Sequence, residues 1–269
     1  MQTPLVQRWR DRRGAYRPAG EPIDVRRYEV AAIDADRTAK AFIAAHHYTG
    51  TVGAMRFRFG LYRGDVLVGV AAFTHPCSDA VLAQLPGDGL ERTELGRLVL
   101  LDDVPANGES WFVARCFELL AADGITGVCA FSDDVERTDA AGRRVFRGHV
   151  GTVYQATNAV YVGRARSAVL RLLPDGSVLH GRALSKLRGR QRGWRYVADR
   201  LETAGAAPLA DGEDTRVWAD RWVGQLTRPL RHPGNHKYLF GLGRAARRAL
   251  PRGLPYPKLG TALFGRAAA

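Results

Sequence analysis

Apolar and polar positions change their spacing several times along the chain, and each change predicts an element. Residues 38–47 repeat apolar side chains at helical spacing, so we expect a helix there, capped by Asp34 or Asp36. Residues 56–62 alternate as a half-buried strand does. A short turn follows, and residues 66–73 are almost continuously apolar. The pattern predicts a helix followed by a hairpin.

A second series of elements follows this hairpin. Residues 95–101 read as a strand, and the segment from Pro105 opens a helix with an apolar stripe and Asn107 as its N-cap. Residues 124–131 predict a turn and a buried strand, and residues 168–184 predict a hairpin. This order indicates an α/β fold with a mixed sheet, whereas no dinucleotide-binding glycine motif or P-loop is present.

The apolar pattern weakens after Arg188. We expect a helix over residues 189–203, a linker over 205–214, and then Trp-, Arg- and Pro-containing segments. The predicted organisation is a loosely held basic arm, one α/β domain, a basic C-terminal extension and a tail, at residues 1–27, 28–204, 205–258 and 259–269.

Charge is distributed unevenly along the 269 residues. The formal net charge is +13; residues 1–180 carry 22 Lys/Arg against 21 Asp/Glu, whereas residues 181–269 carry 18 against 6. A GC-rich genome accounts for the excess of Arg over Lys, but it does not account for the loss of acidic residues after residue 180. The asymmetry favours a polyanionic partner such as nucleic acid.

The three cysteines, Cys77, Cys116 and Cys129, show no CxxC spacing, so we expect reduced thiols rather than a disulfide framework or a zinc site. The arginine-rich N-terminus lacks the apolar run of a signal peptide, and no long apolar span occurs elsewhere. We therefore expect a soluble cytoplasmic protein with no membrane partner. The sequence leaves its oligomeric state open.

Candidate chemistry is concentrated after the strand at residues 127–131. This strand runs into Asp133, and strand ends often carry ligand groups. His149 is flanked by glycines, which permit close backbone approach, and Tyr154 follows it. Each residue also fits an ordinary role: Asp133 as a cap, and Tyr154 as a packed aromatic.

The order of elements, with the strand, loop and helix over residues 94–110, resembles the GCN5-related N-acetyltransferase (GNAT) fold. The resemblance implies a mostly antiparallel sheet flanked by helices, with a splayed strand that holds the pantetheine of acetyl-CoA or a related donor. A helix N-terminus would hold the pyrophosphate. The implied donor-binding residues are Arg97, Leu98, Val99, Leu100, Asn107, Gly108 and Ser110.

This sequence departs from the acetyltransferase pattern in its phosphate loop. The family's Gln/Arg-x-x-Gly-x-Gly/Ala motif is absent, and Glu109 brings a negative charge to the place of a phosphate. The same segment also fits an ordinary capped helix.

A narrower resemblance covers residues 40–258. His47-Tyr48, residues 94–110, Ser132-Asp133, residues 148–163 and residues 254–258 together resemble the Mom family of phage DNA-modification proteins, which are divergent members of the acetyltransferase superfamily. The resemblance implies addition of a carbamoylmethyl group to adenine N6 in duplex DNA, which protects that DNA from restriction. The protein would then act in the host cytoplasm.

The implied product is not an ordinary acyl-transfer product, because a carbamoylmethyl group is attached through a methylene carbon rather than a carbonyl carbon. The donor, or an additional metal-dependent or radical step, is therefore left open. His47, Asp133 and His149 form a possible iron site of two histidines and one carboxylate. The candidate catalytic residues are His47, Tyr48, Asp133, His149 and Tyr154.

Basic residues with interleaved aromatics supply the predicted DNA contacts. Phosphate contacts fix position, and aromatic rings suit stacking on an extruded base. The predicted DNA-binding residues are Arg143, Arg144, Arg147, Lys186, Arg188, Arg190, Arg192, Trp194 and Arg195.

Two other functions fit the sequence. One is an ordinary acetyl-CoA-dependent N-acyltransferase that acts on a small amine or a protein. The other is a non-enzymatic DNA-binding accessory protein built on a degenerate acetyltransferase fold. Release of CoA with an amine and no DNA distinguishes the first; DNA binding without a new nucleoside distinguishes the second.

Overall fold

The computed structural model describes residues 5–10, 12–76 and 78–258. The predicted tail at 259–269 and the thiol of Cys77 lie outside these residues. The strands are, in chain order, β1 (Leu5–Arg10), β2 (Arg13–Pro18), β3 (Glu29–Ala32), β4 (Met55–Arg63), β5 (Val66–Thr74), β6 (Arg92–Leu100), β7 (Gly127–Ser132), β8 (Arg137–Thr138), β9 (Arg144–Phe146), β10 (Val160–Arg164), β11 (Ala168–Leu172), β12 (Val178–Leu179), β13 (Arg228–His232) and β14 (His236–Gly241). The helices are α1 (Asp36–His46), α2 (Gly108–Ala122), α3 (Thr152–Ala156), α4 (Gly181–Arg188), α5 (Arg195–Thr203), α6 (Thr215–Leu226) and α7 (Arg244–Arg248).

The chain forms two compact units. The sheet unit contains the described residues up to Asp134, residues 149–164 and the segment from Asn235 onward; the helical unit contains residues 135–148 and 165–234. This division differs from the predicted organisation. The boundary drawn after residue 204 falls inside the helical unit, and the predicted C-terminal extension contributes β14 to the sheet unit.

A seven-stranded sheet organises the sheet unit, in the order β10-β14-β7-β6-β5-β4-β3. All neighbours are antiparallel except β6 and β7, which pair in parallel from Arg92↔Gly127 to Leu95↔Ala130. Beyond Leu95, β6 continues to Leu100 paired with β5, and its ladder with β7 has ended. The expected mixed, mostly antiparallel sheet flanked by helices, with a splayed central pair, is confirmed.

Strand alternation explains the two helical layers on this sheet. Val70 and Ala72 of β5 pack with Ile43 of α1, whereas Phe73 of the same strand packs with Phe112 of α2. Successive residues of a strand point to opposite faces, so a strand buried on both sides is apolar throughout. The predicted hairpin β4–β5, strand β6, helix α2 and strand β7 are all present.

The ends of the predicted helices are partly corrected. Ala35 is the N-cap of α1, and Asp36 lies in the first turn, where it pairs with Lys40. Asn107 is the N-cap of α2 as expected, but its side chain makes no capping hydrogen bond.

The expectation of a loosely held N-terminal arm is wrong for its described residues. β1 and β2 pair along their full length in an antiparallel hairpin, from Leu5↔Pro18 to Arg10↔Arg13. Arg8 on this hairpin is 1% exposed. A guanidinium is buried only when it is paired or hydrogen-bonded, so this hairpin is part of the fold.

Helices α4, α5 and α6 pack around an apolar core in the helical unit, beside a small sheet of order β12-β11-β13. The predicted strand at 177–184 is short, because α4 begins at Gly181, and the helix expected from residue 189 begins at Arg195. Within the described part of the chain, no helix is both long and apolar enough to cross a membrane.

Candidate active site

The candidate site is built at the carboxyl end of β7. This strand ends at buried Ser132, and the carbonyl of the following Asp133 accepts a hydrogen bond from the His149 amide at 2.7 Å. One backbone hydrogen bond therefore fastens the glycine-flanked loop at residues 148–151 to the strand end. Asp133 and His149, both predicted as site residues, lie side by side.

Aromatic rings from three separate segments meet at this loop. Tyr48 stacks on His47 with 4.3 Å between ring centroids, and the His149 ring lies edge-on to Tyr48 at 6.1 Å. Trp9 of β1 adds a third ring, 4.4 Å from Tyr48 and 6.4 Å from His149. The structure thus brings the predicted His47, Tyr48 and His149 together, and adds Trp9 from the segment expected to be a loose arm.

His47 is held as a neutral imidazole. It is 5% exposed, and its pKa lies well below the usual range because of burial first, and then because of the nearby Arg97, His149 and Arg12. The Thr49 amide donates to Nδ1 at 3.2 Å. Thr49 Oγ1 also lies 2.9 Å from Nδ1 and donates its own hydrogen to the Thr51 carbonyl at 3.0 Å. A neutral imidazole keeps one N–H donor and one acceptor nitrogen, so His47 can make one hydrogen bond of each kind.

Tyr154 is a buried phenol that keeps its proton. Burial raises its pKa, Tyr48 raises it further, and Arg97 opposes both. Arg97 itself donates from Nε to the Thr51 carbonyl at 2.7 Å. Because Arg97 acts on the pKa of both His47 and Tyr154, it links the end of α1 electrostatically with α3. A protonated phenol can donate a proton or a hydrogen bond to a developing negative charge.

The glycine at position 151 allows Tyr154 to lie close to the end of β7. It is the N-cap of α3, with a left-handed φ of 68°. A Cβ at this position would lie 2.7 Å from Tyr154 and 3.1 Å from both Ser132 Oγ and the Tyr238 ring. Only glycine satisfies both the backbone angle and the close approach.

A second polar cluster lies beside the first and was not predicted. Arg164 donates two hydrogen bonds to Asp134, at 2.9 and 2.6 Å. His236 Nε2 lies 3.1 Å from Asp134 Oδ2, and its Nδ1 lies 2.8 Å from the Tyr161 hydroxyl. Burial would raise the pKa of Asp134, but hydrogen bonds from Arg164 and His236 outweigh it and lower that pKa to about 2.

This Asp134 cluster lies where the chain passes between the two units. Asp134 ends the first segment of the sheet unit, Arg164 ends the second, and His236 is the second residue of the third. The cluster therefore joins all three segments of the sheet unit through charged hydrogen bonds. It fixes Asp134, the residue next to Asp133.

The donor-binding residues predicted on β6 could contact a donor mainly through their backbone groups. Val99 and Leu100 are buried in the apolar core, and Leu98 packs against it. Beyond Leu95, the edge of β6 that faces β7 lies outside the ladder between the two strands. This edge fits an extended amide-containing chain such as pantetheine, which a free strand edge can bind.

The loop before α2 does not fit a pyrophosphate. The Ala106 amide donates to Glu21 at 3.1 Å, the Gly108 amide donates to the Pro105 carbonyl at 2.8 Å, and Ser110 Oγ donates to the Asn107 carbonyl. The Ala106 and Gly108 amides thus already have acceptors, one of them a carboxylate. We derive no step through a pyrophosphate bound there.

The predicted iron site is not supported. Within the residues that the structure describes, no group of three His, Cys, Asp or Glu could hold a metal ion. His47 has Nδ1 engaged by Thr49 and its ring stacked on Tyr48. These contacts give His47 a place in the aromatic cluster.

All the predicted DNA-contacting residues belong to the helical unit, which carries 17 Lys/Arg against 9 Asp/Glu. Trp194, just before α5, has the guanidinium of Arg190 at 5.6 Å and that of Arg195 at 4.9 Å from its ring centroid. Several of the other arginines are paired with acids, namely Arg143 with Asp139, Arg144 with Glu136 and Arg188 with Asp220.

The sequence is matched by the model of the Mom protein family over residues 27–258. Two similar solved structures are a tandem GNAT protein from the clavulanic acid biosynthesis pathway, without AcCoA, and a Bacillus subtilis acetyltransferase in complex with CoA. The first is 11% identical with a TM-score of 0.43, and the match covers 81% of this chain and 99% of that one. The second is 8% identical with a TM-score of 0.33, and the match covers 80% and 98%. No curated protein matches the sequence.

Proposed function

The chain belongs to the Mom protein family, and we propose from this membership that it is a transferase that adds a carbamoylmethyl group to adenine N6 in DNA, as a phage-type protection against restriction. The observation that carries the proposal is the site at the end of β7. Four residues of the family-like motifs, His47, Tyr48, His149 and Tyr154, converge there from separate segments.

The protonation states of the site residues suit a reaction in which the attacking group, adenine N6, is a poor nucleophile. The lone pair of adenine N6 is delocalised into the ring, so attack requires the amine to be oriented and to lose its proton. Neutral His47 can make a hydrogen bond without adding charge, and the Tyr154 phenol can supply a proton to a leaving group. We propose that Asp133 or His149 accepts the N6 proton, since both are only half-buried and lie side by side after β7.

Aromatic rings support a base substrate. Adenine has a flat π face, and stacking on aromatic side chains stabilises an extruded base by roughly 1–3 kcal/mol. Tyr48, Trp9 and His149 are each partly exposed and form one aromatic group. We propose that this group binds the base after it has left the duplex, because chemistry on a stacked base is sterically hindered.

The basic helical unit supports duplex DNA as the partner. From residue 181 to residue 198 the chain carries six Lys or Arg and no Asp or Glu. These residues occupy α4, the following loop and the start of α5, where Arg188, Arg192 and Arg195 are exposed. We propose that they contact DNA phosphate.

Mass spectrometry of DNA tests the function. The protein is expressed in a bacterial host, total DNA is digested to nucleosides, and we expect a new deoxyadenosine derivative with the mass of a carbamoylmethyl addition. His149→Gln should abolish it. His75→Gln is the matched control, because His75 is an exposed histidine outside the site.

This experiment, together with assays of CoA release and of DNA binding, separates the alternative functions. Unmodified DNA in cells that contain folded protein would overturn the proposal. Release of CoA from acetyl-CoA with a small amine and no DNA would instead favour an ordinary N-acyltransferase, and DNA binding without any new nucleoside would favour an accessory protein.

A further inference from the structure

The loop before α2 is covered by a segment of the chain itself. In the acetyltransferase fold a helix N-terminus at this place would receive a donor phosphate, because its unpaired amides and positive dipole end attract anions. Here the anion is internal. Glu21 Oε2 accepts the Ala106 amide at 3.1 Å, directly before α2.

Arg17 of β2 holds this carboxylate in place. Its Nε and Nη2 donate to the two Glu21 oxygens at 2.8 Å each, a bidentate arrangement that fixes both partners. Arg17 also donates to the Asp102 carbonyl in the same loop. Its hydrogen bond lowers the pKa of Glu21, so the group that caps the loop stays negatively charged.

Arg8 of β1 fastens the same loop from the inside. Its guanidinium donates to the carbonyls of Leu101 at 3.1 Å, Pro105 at 2.7 Å and Val104, and its Nε lies 3.3 Å from Glu109. Arg8 is 1% exposed. Displacing this hairpin would leave a set of carbonyls and a carboxylate without the cation that satisfies them.

We infer that the N-terminal hairpin and Glu21 close the α2 loop to any diphosphate, so that the donor of this enzyme is bound without a diphosphate seated at α2. A diphosphate entering this loop would meet the carboxylates of Glu21 and Glu109 and would find the Ala106 amide occupied. Like charges at this distance disfavour binding. The hairpin lies outside residues 27–258, so the closure is a feature of this chain beyond the family match.

The inference concerns the donor of the proposed transferase, but it is tested by binding rather than by modification. Calorimetric titration of the full chain with inorganic pyrophosphate should give no saturation at millimolar concentration. Hydrogen exchange of peptides that cover residues 102–110 should not change when CoA is added.

Two variants test whether Glu21 is the group that protects the Ala106 amide from exchange. Glu21→Ala should speed exchange at Ala106 several-fold, because the amide loses its acceptor, and Glu21→Gln should give a smaller increase because its amide oxygen still accepts. Glu29→Ala, an exposed glutamate on β3, is the matched control and should leave exchange of the loop unchanged.

Two results with the wild-type protein would overturn the closure: CoA slows exchange of residues 102–110, or the titration with pyrophosphate saturates. An exchange rate at Ala106 that is equal in Glu21→Ala and Glu29→Ala would also overturn it. If DNA stays unmodified while the loop behaves as expected, the proposed function fails and the closure stands.

Discussion

Single side chains at the end of β7 are held in different protonation states by their surroundings. Burial and nearby cations keep His47 neutral, burial keeps the Tyr154 phenol protonated, and hydrogen bonds from Arg164 and His236 keep Asp134 ionised. An enzyme that must move a proton at neutral pH needs such differences between neighbouring groups. The arrangement therefore supports proton transfer more strongly than simple packing of aromatic residues.

The pH dependence of stability should reveal the neutral His47. Its folded-state pKa lies below that of the unfolded chain, near 6.5, so the unfolded state binds the proton first as the pH falls. Stability is thus full above pH 6.5 and decreases below it, by at most about 1.4 kcal/mol for each pH unit. Urea unfolding at pH 7.5 and 5.5 should show a smaller decrease for His47→Asn than for the wild type, whereas exposed His75→Asn should behave as the wild type.

Asp134 should stabilise the sheet unit through its charge. A shift of the pKa from 3.8 to about 2 corresponds to about 2 kcal/mol. This contribution is present above pH 4 and is lost as the pH falls towards 2. We expect Asp134→Asn to lower the free energy of unfolding at pH 7 by about 2 kcal/mol, and we expect the difference to shrink below pH 3. Equal urea midpoints at pH 7 would contradict this; Asp65→Asn, at an exposed turn, is the control.

Residue motifs led to one half of the candidate site and not to the other. His47, Tyr48, His149 and Tyr154 were found because they belong to short runs that can be read locally. The Asp134 cluster has no local signal, because its partners Arg164 and His236 lie 30 and about 100 residues away and are joined only by the sheet. Asp134 could have been chosen for its place beside Asp133, but nothing in the sequence around His236 marks it.

The N-terminal hairpin is the element whose role differs most from expectation. Its basic sequence predicts a loosely held arm, yet it contributes Trp9 to the aromatic group and Arg8 to the α2 loop. A buried arginine can be recognised only from its acceptors, which here are carbonyls about 95 residues further along the chain.

Removing the Arg8 guanidinium should destabilise this element strongly. Arg8→Met leaves Glu109 and the loop carbonyls without a cation, and breaking a buried pair costs about 3–5 kcal/mol. The 21% exposure of Glu109 places the expected loss near the lower end. Denaturant unfolding should show it, and Arg13→Met, exposed on the same hairpin, should change stability by less than about 0.5 kcal/mol. A similar loss in both variants would contradict the assigned role.

The turn into α3 should be equally sensitive. Gly151→Ala adds a left-handed backbone cost of about 1–2 kcal/mol and places a methyl group 2.7 Å from the Tyr154 ring. Gly64→Ala isolates the backbone cost, because φ is 58° there and a Cβ would meet nothing within 4 Å. We expect both variants to lose stability, but only Gly151→Ala to reduce the yield of modified adenine at least tenfold. Equal yields would show that the position of Tyr154 is unimportant.

Local pattern predicted the elements that pair with chain neighbours. Strands β4, β5, β6 and β7 follow one another both in the sequence and in the sheet, so alternation and turn residues sufficed. β14 was missed, because residues 236–241 lie among Arg, Gly and Pro, and they pair with β7 more than 100 residues earlier. Pairing over that distance leaves no periodic signal in a single sequence.

The candidate catalytic residues and the candidate DNA-contacting residues lie in different units of the molecule. The proposed catalytic residues all lie in the sheet unit, and the predicted DNA contacts all lie in the helical unit. Deleting residues 205–269 would therefore test DNA binding poorly, because it removes β14 from between β10 and β7. Point substitutions in the helical unit avoid this loss of the sheet.

Salt dependence of DNA binding gives the corresponding test. If exposed arginines of the α4–α5 region contact phosphate, the logarithm of the binding constant should fall linearly with the logarithm of salt concentration, and each lost contact should reduce the slope by about 0.9. Arg192→Ala and Arg195→Ala should each do so, whereas Arg216→Ala, exposed on α6 of the same unit, should not. Trp194→Ala should weaken binding without changing the slope, because stacking releases no counterions. Fluorescence anisotropy with duplex DNA at several salt concentrations measures all four variants. Slopes that match the wild type for both Arg192→Ala and Arg195→Ala would place the DNA contacts elsewhere on the protein.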